Sequence, residues 1–281
     1  VAEASCDRLG LKADDPRRNL IHILNPLSED QTVMRTSLAT GLLETAAYNI
    51  AQQVKNLQLF EIGKLFIKKE SQDLPWEPEY LAALWTGSRH DASWHGRQIP
   101  CDFYDIKGVA EELIAALKID NIQFTAMPEG DCDYTRPGYT AQILAGGIPA
   151  GLGGGIHPRV REVFDLKQSA YILELDLDTV RAQIPPATKS RPIPKFPAIY
   201  RDITIIVDRS IETQTVLATV EKIREDLVEN LHLFDVFEGA PIAAGKKSVS
   251  FRVTYRSSAK TLEDDDVNDL HKSITESLIE V

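Results

Sequence analysis

What this 281-residue sequence has little of narrows its chemistry before any motif is read. Its three cysteines, Cys6, Cys101 and Cys132, are far apart, odd in number and form no CxxC pair. That excludes a disulfide framework and a zinc knuckle, and it suits a reducing cytoplasm. No apolar run approaches the ~18 residues of a spanning helix, so no membrane partner is expected. No basic-then-apolar leader precedes the body of the chain, which opens on Val1 and reads as a piece excised from a longer protein. There is no fixed-period repeat and no low-complexity tract. Positive charge is also short: 31 Lys and Arg stand against 42 Asp and Glu, a net charge of −11. A broad electrostatic hold on nucleic acid is thereby excluded, and any RNA contact must be local. Finally, no Ser or Cys nucleophile sits beside a recognisable base, which removes an independent hydrolase.

What remains is an ordinary globular composition, 43% hydrophobic and 26% charged, in a chain long enough for two cores. The clearest break is Ile184 to Pro197, where repeated prolines can neither continue a helix nor donate to a sheet. It divides the chain into residues 1–188 and 189–281. In the first part, Ser37 to Val54 carries Leu38, Leu42, Leu43, Ala46 and Ile50 at helical spacing, and Tyr104 to Leu117 repeats the pattern. Leu57 to Ile67, Tyr80 to Trp85, Ala141 to Leu144, Ala150 to Ile156 and Tyr171 to Leu177 read as strands, and Gly87 to Pro100 as a long loop. Strands following one another without helices between them predict an α+β fold: an antiparallel sheet with helices on one face.

The second part orders itself more simply. Asp202 to Val207 is a β-branched strand, Thr213 to Val228 an amphipathic helix, and Leu231 to Phe237 and Val249 to Tyr255 two further strands. A second helix follows Thr261, which is positioned to cap it, with Glu263 to Asp266 suiting a positive helix start. The result is β-α-β-β-α, one strand short of the ferredoxin-like unit. In the usual spatial order 4-1-3-2, the first strand is then left as an edge.

Three features invite chemical readings. Gly151-Leu-Gly-Gly-Gly-Ile-His157 suggests a phosphate loop, but no Gly-Lys-Ser/Thr follows and position 156 is Ile, so a tight hairpin and turn are expected. His157 precedes Pro158 and suits a cap or turn. Glu174, Asp176 and Asp178 alternate with leucines and read as a solvated edge strand. The acids at 263–266 lack the spacing of a calcium loop.

Several blocks nonetheless occur in a telling order. Asn25-Pro-Leu-Ser-Glu-Asp-Gln-Thr-Val-Met-Arg-Thr-Ser-Leu38, Gly41-Leu-Leu43, Phe60-Glu-Ile-Gly63, Asp102-Phe-Tyr-Asp-Ile-Lys-Gly108, Gly155-Ile-His-Pro158 and Leu173 to Asp178 fall in the first part. Phe196-Pro197, Arg201-Asp202, Phe234-Asp-Val-Phe-Glu-Gly239, Gly245-Lys-Lys-Ser248 and Lys260-Thr-Leu262 fall in the second. Together they resemble the beta-subunit family of bacterial phenylalanine-tRNA ligase. The resemblance implies a class II aminoacyl-tRNA-synthetase-like antiparallel sheet domain over 1–188, without catalysis of its own, then a ferredoxin-like βαββα(β) anticodon-binding domain over 189–281. It implies an alpha subunit as partner, in an alpha2-beta2 heterotetramer, and phenylalanine tRNA as ligand. The whole enzyme uses ATP and Mg2+, but no cofactor, metal or catalytic residue is expected in this chain. Where the family's glycine-rich class II motif would continue with Glu-Arg, this chain has His157-Pro158. Arg35 and Glu61 read either as relics of an ATP grip or, more simply, as a turn-stabilising arginine and its acid. The helix Leu38 to Ile50 is the first candidate for an apolar surface toward the alpha subunit.

For the second part, strand parity points to an RNA face. Val249, Phe251, Val253 and Tyr255 belong to a core, leaving Ser248, Ser250, Arg252 and Thr254 outward, with Asp202 and Thr204 beside them. Asp235 and Phe237 join that side if Leu231 and Leu233 mark the periphery. Small hydroxyls beside an aromatic ring form a surface on which a splayed base stacks and is bonded at its edge. The candidate tRNA-binding set is therefore Thr204, Asp235, Phe237, Lys246, Lys247, Ser248, Ser250 and Arg252, with the cations on phosphates. The family usually has Tyr where this chain has Phe237, which keeps stacking and removes a phenolic bond. The competing reading is an amino-acid-sensing regulatory module of the same topology.

Overall fold

Residues along a strand point alternately to two sides of a sheet, and this chain covers those sides differently in its two units. The computed structural model describes residues 1–69, 74–186, 193–222 and 226–279, which divide into Val1–Thr188 and Lys189–Val281.

The first unit runs α1 (Ser5–Arg8), α2 (Ala39–Ala51), β1 (Leu57–Lys64), β2 (Glu79–Thr86), α3 (Phe103–Ala116), β3 (Ile122–Ala126), β4 (Thr135–Ala145), β5 (Ile148–Ile156), α4 (Pro158–Val163), β6 (Ala170–Asp176) and α5 (Leu177–Arg181). Its strands form one antiparallel sheet in the order β1-β2-β6-β5-β4-β3. The short edge strand β3 has too little alternation to be seen in the sequence. Helices lie on both faces rather than on one. Leu42, Leu43 and Ala46 of α2 pack with Ala82, Leu84 and Ile172, while Ile106, Ala110 and Ile114 of α3 pack with Ala83, Leu173 and Leu175. Neighbours in β2 and β6 thus enter opposite cores. The apolar side of α2 is consumed by its own sheet, so it is not the partner-facing surface that periodicity suggested.

The acidic strand β6 is central, not a solvated edge, and Glu174 is buried. The glycine-rich run lies within strand β5, as the strand reading of Ala150 to Ile156 had it, and the turn expected of it is instead the hairpin at Gly146-Gly147. A Cβ on Gly151 would stand 2.1 Å from the Glu174 carbonyl oxygen, so absent side chains let β5 approach β6. The Asp102 block is a helix start: Asp102 accepts from Tyr104 N at 2.8 Å, and Asp105 accepts from Asp102 N at 2.7 Å. A reciprocal cap of this kind stabilises a helix end by about 1 kcal/mol.

The second unit runs β7 (Ile199–Asp208), α6 (Thr213–Lys222), β8 (Val228–Phe237), β9 (Lys246–Tyr255) and α7 (Asp264–Ile279). Its described strands pair as β7-β9-β8, all antiparallel, leaving β7 as an edge. Val228 opens β8 instead of closing the first helix. Thr261 does not cap α7; the helix begins at Asp264, and Asp266 accepts from Glu263 N at 2.8 Å. Val216 and Val220 of α6 and Val267, Leu270 and Ile274 of α7 bury Val249, Phe251, Val253 and Tyr255 on one side of the sheet.

Candidate nucleic-acid interface

Among the described residues of this unit no helix packs on the other side of that sheet, and its register sets residues in cross-strand rows. From one end these are Tyr200, Thr254 and Asn230; then Asp202, Arg252 and His232; then Thr204, Ser250 and Asp235; then Ile206, Ser248 and Phe237. Of the residues singled out from sequence, Thr204, Asp235, Phe237, Ser248, Ser250 and Arg252 are brought together here. Lys246 ends the same face beside Asp208. Lys247 is not part of it: it pairs with Val207, shares the parity of Val249, and is buried on the helix-covered side. A one-residue step in a strand changes the face.

Asp235 and Phe237 reach the open side for a reason that parity alone misses. Leu231 pairs with Val253 and Leu233 with Phe251, so both leucines pack on the core rather than at the periphery. Unbroken alternation would carry Asp235 and Phe237 to that side as well. A register shift between Leu233 and Asp235 inserts Phe234 as an extra residue. Such a bulge reverses the phase of the strand beyond it, and Asp235 then pairs with Ser250 and Phe237 with Ser248.

Charge on this face is paired off. Arg252 donates from Nε to Asp202 Oδ1 at 2.7 Å and from Nη2 to Oδ2 at 2.8 Å. That bond holds the Asp202 carboxyl below its ordinary range and the Arg252 guanidinium above its own. Lys246 Nζ lies 3.7 Å from Asp208. The Thr204 and Ser250 hydroxyls bond to each other at 2.9 Å. With Asp235 added, two cations face three carboxylates; Ser248 and Ser250 are themselves buried, so the surface offers a ligand rings and the exposed Thr204 rather than surplus positive charge. Phe237 is 42% exposed. Tyr200, Ile206 and Phe234 are exposed on the same face and were not anticipated, although the parity of Asp202 and Thr204 on the same strand would have found Tyr200 and Ile206.

In the first unit the chemically suggestive residues are spent internally. Arg35 donates from Nε to the Lys64 carbonyl at 2.9 Å and pairs with Glu61, and a Cβ on Gly63 would fall 2.0 Å from its guanidinium. The Phe60-Glu-Ile-Gly63 block is therefore a seat for Arg35, which is structural as in the simpler of the two readings but steadies strand β1 rather than a turn. His157 Nδ1 accepts from Arg159 N at 3.2 Å and caps α4. Glu174 accepts from Ser37 Oγ at 3.0 Å and from the Tyr134 hydroxyl. Burial, then the charge of Glu174, holds Tyr134 far above its ordinary pKa. Among the described residues, no group of three His, Cys, Asp or Glu side chains is placed to hold a metal ion.

Comparison with known proteins bears on both units. Residues 1–177 match the model of the phenylalanyl tRNA synthetase beta chain CLM domain, and residues 194–281 match the ferredoxin-fold anticodon binding domain. The chain belongs to the phenylalanyl-tRNA synthetase beta-chain family. It is 34% identical over 280 residues to the phenylalanine–tRNA ligase beta subunit of Geobacter sulfurreducens, covering 99% of this chain and 35% of that one. The beta subunit of Syntrophus aciditrophicus is 35% identical over 280 residues, with 100% and 35% covered. That of Symbiobacterium thermophilum is 34% identical over 274 residues, with 97% and 30% covered. The chain thus spans about a third of the length of the curated relatives it matches. Within the beta-chain family the second unit is matched as an anticodon-binding ferredoxin fold, and an amino-acid-sensing module is not favoured.

Proposed function

We propose that this chain serves in phenylalanine–tRNA ligase, where residues 189–281 read unpaired anticodon bases of phenylalanine tRNA on the open sheet face. Residues 1–188 act as a non-catalytic, class II-like scaffold for the alpha subunit in a cytoplasmic alpha2-beta2 enzyme, with ATP and Mg2+ used by the whole enzyme. The observation that carries the reading is the open face on which Phe237 stands beside Ser248, Ser250, Thr204 and Asp235. A ring stacks on a splayed base, and a hydroxyl and a carboxylate bond its edge. Lys246 adjoins a phosphate by exchanging its present carboxylate, whereas Arg252 keeps its two bonds to Asp202 and meets the RNA with its remaining N–H groups; Lys247, buried opposite, has no part in this reading. Since α2 is used internally, Leu24 and Leu27, almost fully exposed before it, are apolar groups left for the alpha subunit.

Titration of the chain against the anticodon stem-loop of phenylalanine tRNA, and against stem-loops with substituted anticodons, tests the reading. The native anticodon should bind more tightly; equal affinity for all would sink it. Pure chain should catalyse no ATP–pyrophosphate exchange, and measurable exchange would refute the scaffold role.

A further inference from the structure

At the end of the open face away from Phe237, Arg252 lies between two exposed rings. Its guanidinium carbon is 5.9 Å from the ring centre of Tyr200 on β7 and 5.9 Å from that of Phe234 on β8. Tyr200 is 56% exposed and Phe234 49%. The two bonds to Asp202 engage the edge of the guanidinium and fix its orientation beside the two rings, on which a planar guanidinium and a base both stack. The bulge that turns Phe237 outward also supplies Phe234. We propose that Tyr200, Arg252 and Phe234 form a second nucleobase-stacking site, distinct from the Phe237 site, so that the sheet holds two splayed bases of one unpaired RNA segment. This rests on the RNA-reading role proposed above.

Spacing gives the inference its content. Arg252 and Ser248, which anchor the two ends, are four residues apart on β9, about 13 Å at ~3.3 Å per residue. Bases stacked in a helix are ~3.4 Å apart, so two stacked neighbours cannot occupy both sites. The occupants are bases turned out separately, the form in which single-stranded RNA is read. Between the sites lies the Thr204–Ser250 hydroxyl pair with Asp235, a polar floor.

The test uses the full chain and anticodon stem-loops carrying an abasic nucleotide at each loop position in turn. Phe234→Ala, Tyr200→Ala and Arg252→Lys are compared with Phe237→Ala, with thermal unfolding as the folding control. Losing one stacked base should weaken binding of the intact loop about 5- to 150-fold. Arg252→Lys keeps the charge and loses the plane, and as a surface change it carries the test if Phe234→Ala fails to fold. The inference holds if an abasic position that abolishes the effect of Phe234→Ala or Arg252→Lys differs from the position that abolishes that of Phe237→Ala. It is overturned if one position silences both. It is overturned alone if Phe237→Ala weakens binding while the other three variants bind as wild type. No binding by wild type overturns the RNA-reading role and this site together.

Discussion

Leu173 and Glu174 are neighbours in β6 and both are buried, whereas Phe251 and Arg252 are neighbours in β9 and only the phenylalanine is. The two pairs have the same alternation and opposite fates, because α2, α3 and α5 cover both faces of the first sheet while α6 and α7 cover one face of the second. A polar side chain in a doubly covered sheet must find its partners inside, and it is then structural. In a singly covered sheet the same position stays available to a ligand. That contrast explains why the suggestive acids and glycines of the first unit hold its own strands together, while the second unit displays the rings of Tyr200, Phe234 and Phe237.

The largest expected effect sharpens the contrast from within β9. Phe251→Ala should cost about 3–5 kcal/mol of stability in the second unit, read by chemical denaturation. In the first unit, Glu174→Ala strands the Ser37 and Tyr134 hydroxyls in the core and should cost about 2–4 kcal/mol. A loss under ~0.5 kcal/mol, as at an ordinary surface site, would break the comparison. Phe237→Ala should do the reverse: stability should move by less than about 0.5 kcal/mol, while stem-loop affinity falls by roughly 1–3 kcal/mol. Equal loss for every anticodon would refute base stacking at Phe237. Lys246→Ala should act alike on all anticodons and flatten the salt dependence of log K by roughly one unit or less, which titration at several salt concentrations reads.

The smallest effect is one of pH. Burial, with the charge of Arg201, holds the His271 imidazole below its ordinary value of 6.5, where it contacts the Tyr255 hydroxyl at 3.0 Å. The unfolded chain therefore takes up this proton first as pH falls. The contribution is fully present above 6.5 and is lost as pH falls from there through the lowered folded value. Melting of the second unit from pH 8 to pH 5 should show this decline, and His271→Gln should flatten it; an unchanged slope would remove His271 as its source.

Much of the second unit was legible because its strands keep a period of two over runs long enough to separate Val249, Phe251, Val253 and Tyr255, which join the apolar core, from Ser248, Ser250, Arg252 and Thr254, which do not. The same rule, continued through position 247, puts Lys247 on the covered side, although the candidate set had included it. The set was nonetheless incomplete: the parity of Asp202 and Thr204 also puts Tyr200 and Ile206 outward, and Phe234 stands out only once its exposure is known. In the first unit α2, α3, β1, β2, β4, β5 and β6 were found, while the short α1, α4, α5 and β3 and the burial of β6 were not.

Alternation within a strand is local chemistry: side chains of successive residues point opposite ways, so the chain alone sorts its strands into two faces and supplies the turns and caps between them. Which faces are covered depends on helices distant in sequence, and where a register slips depends on the partner strand. Pairing with β9 set the bulge that turns Asp235 and Phe237 outward. Packing of α2 and α3 on opposite faces enclosed Glu174 and left it to Ser37 and Tyr134. Both outcomes come from contacts between segments far apart along the chain, and no window of residues around either site contains them.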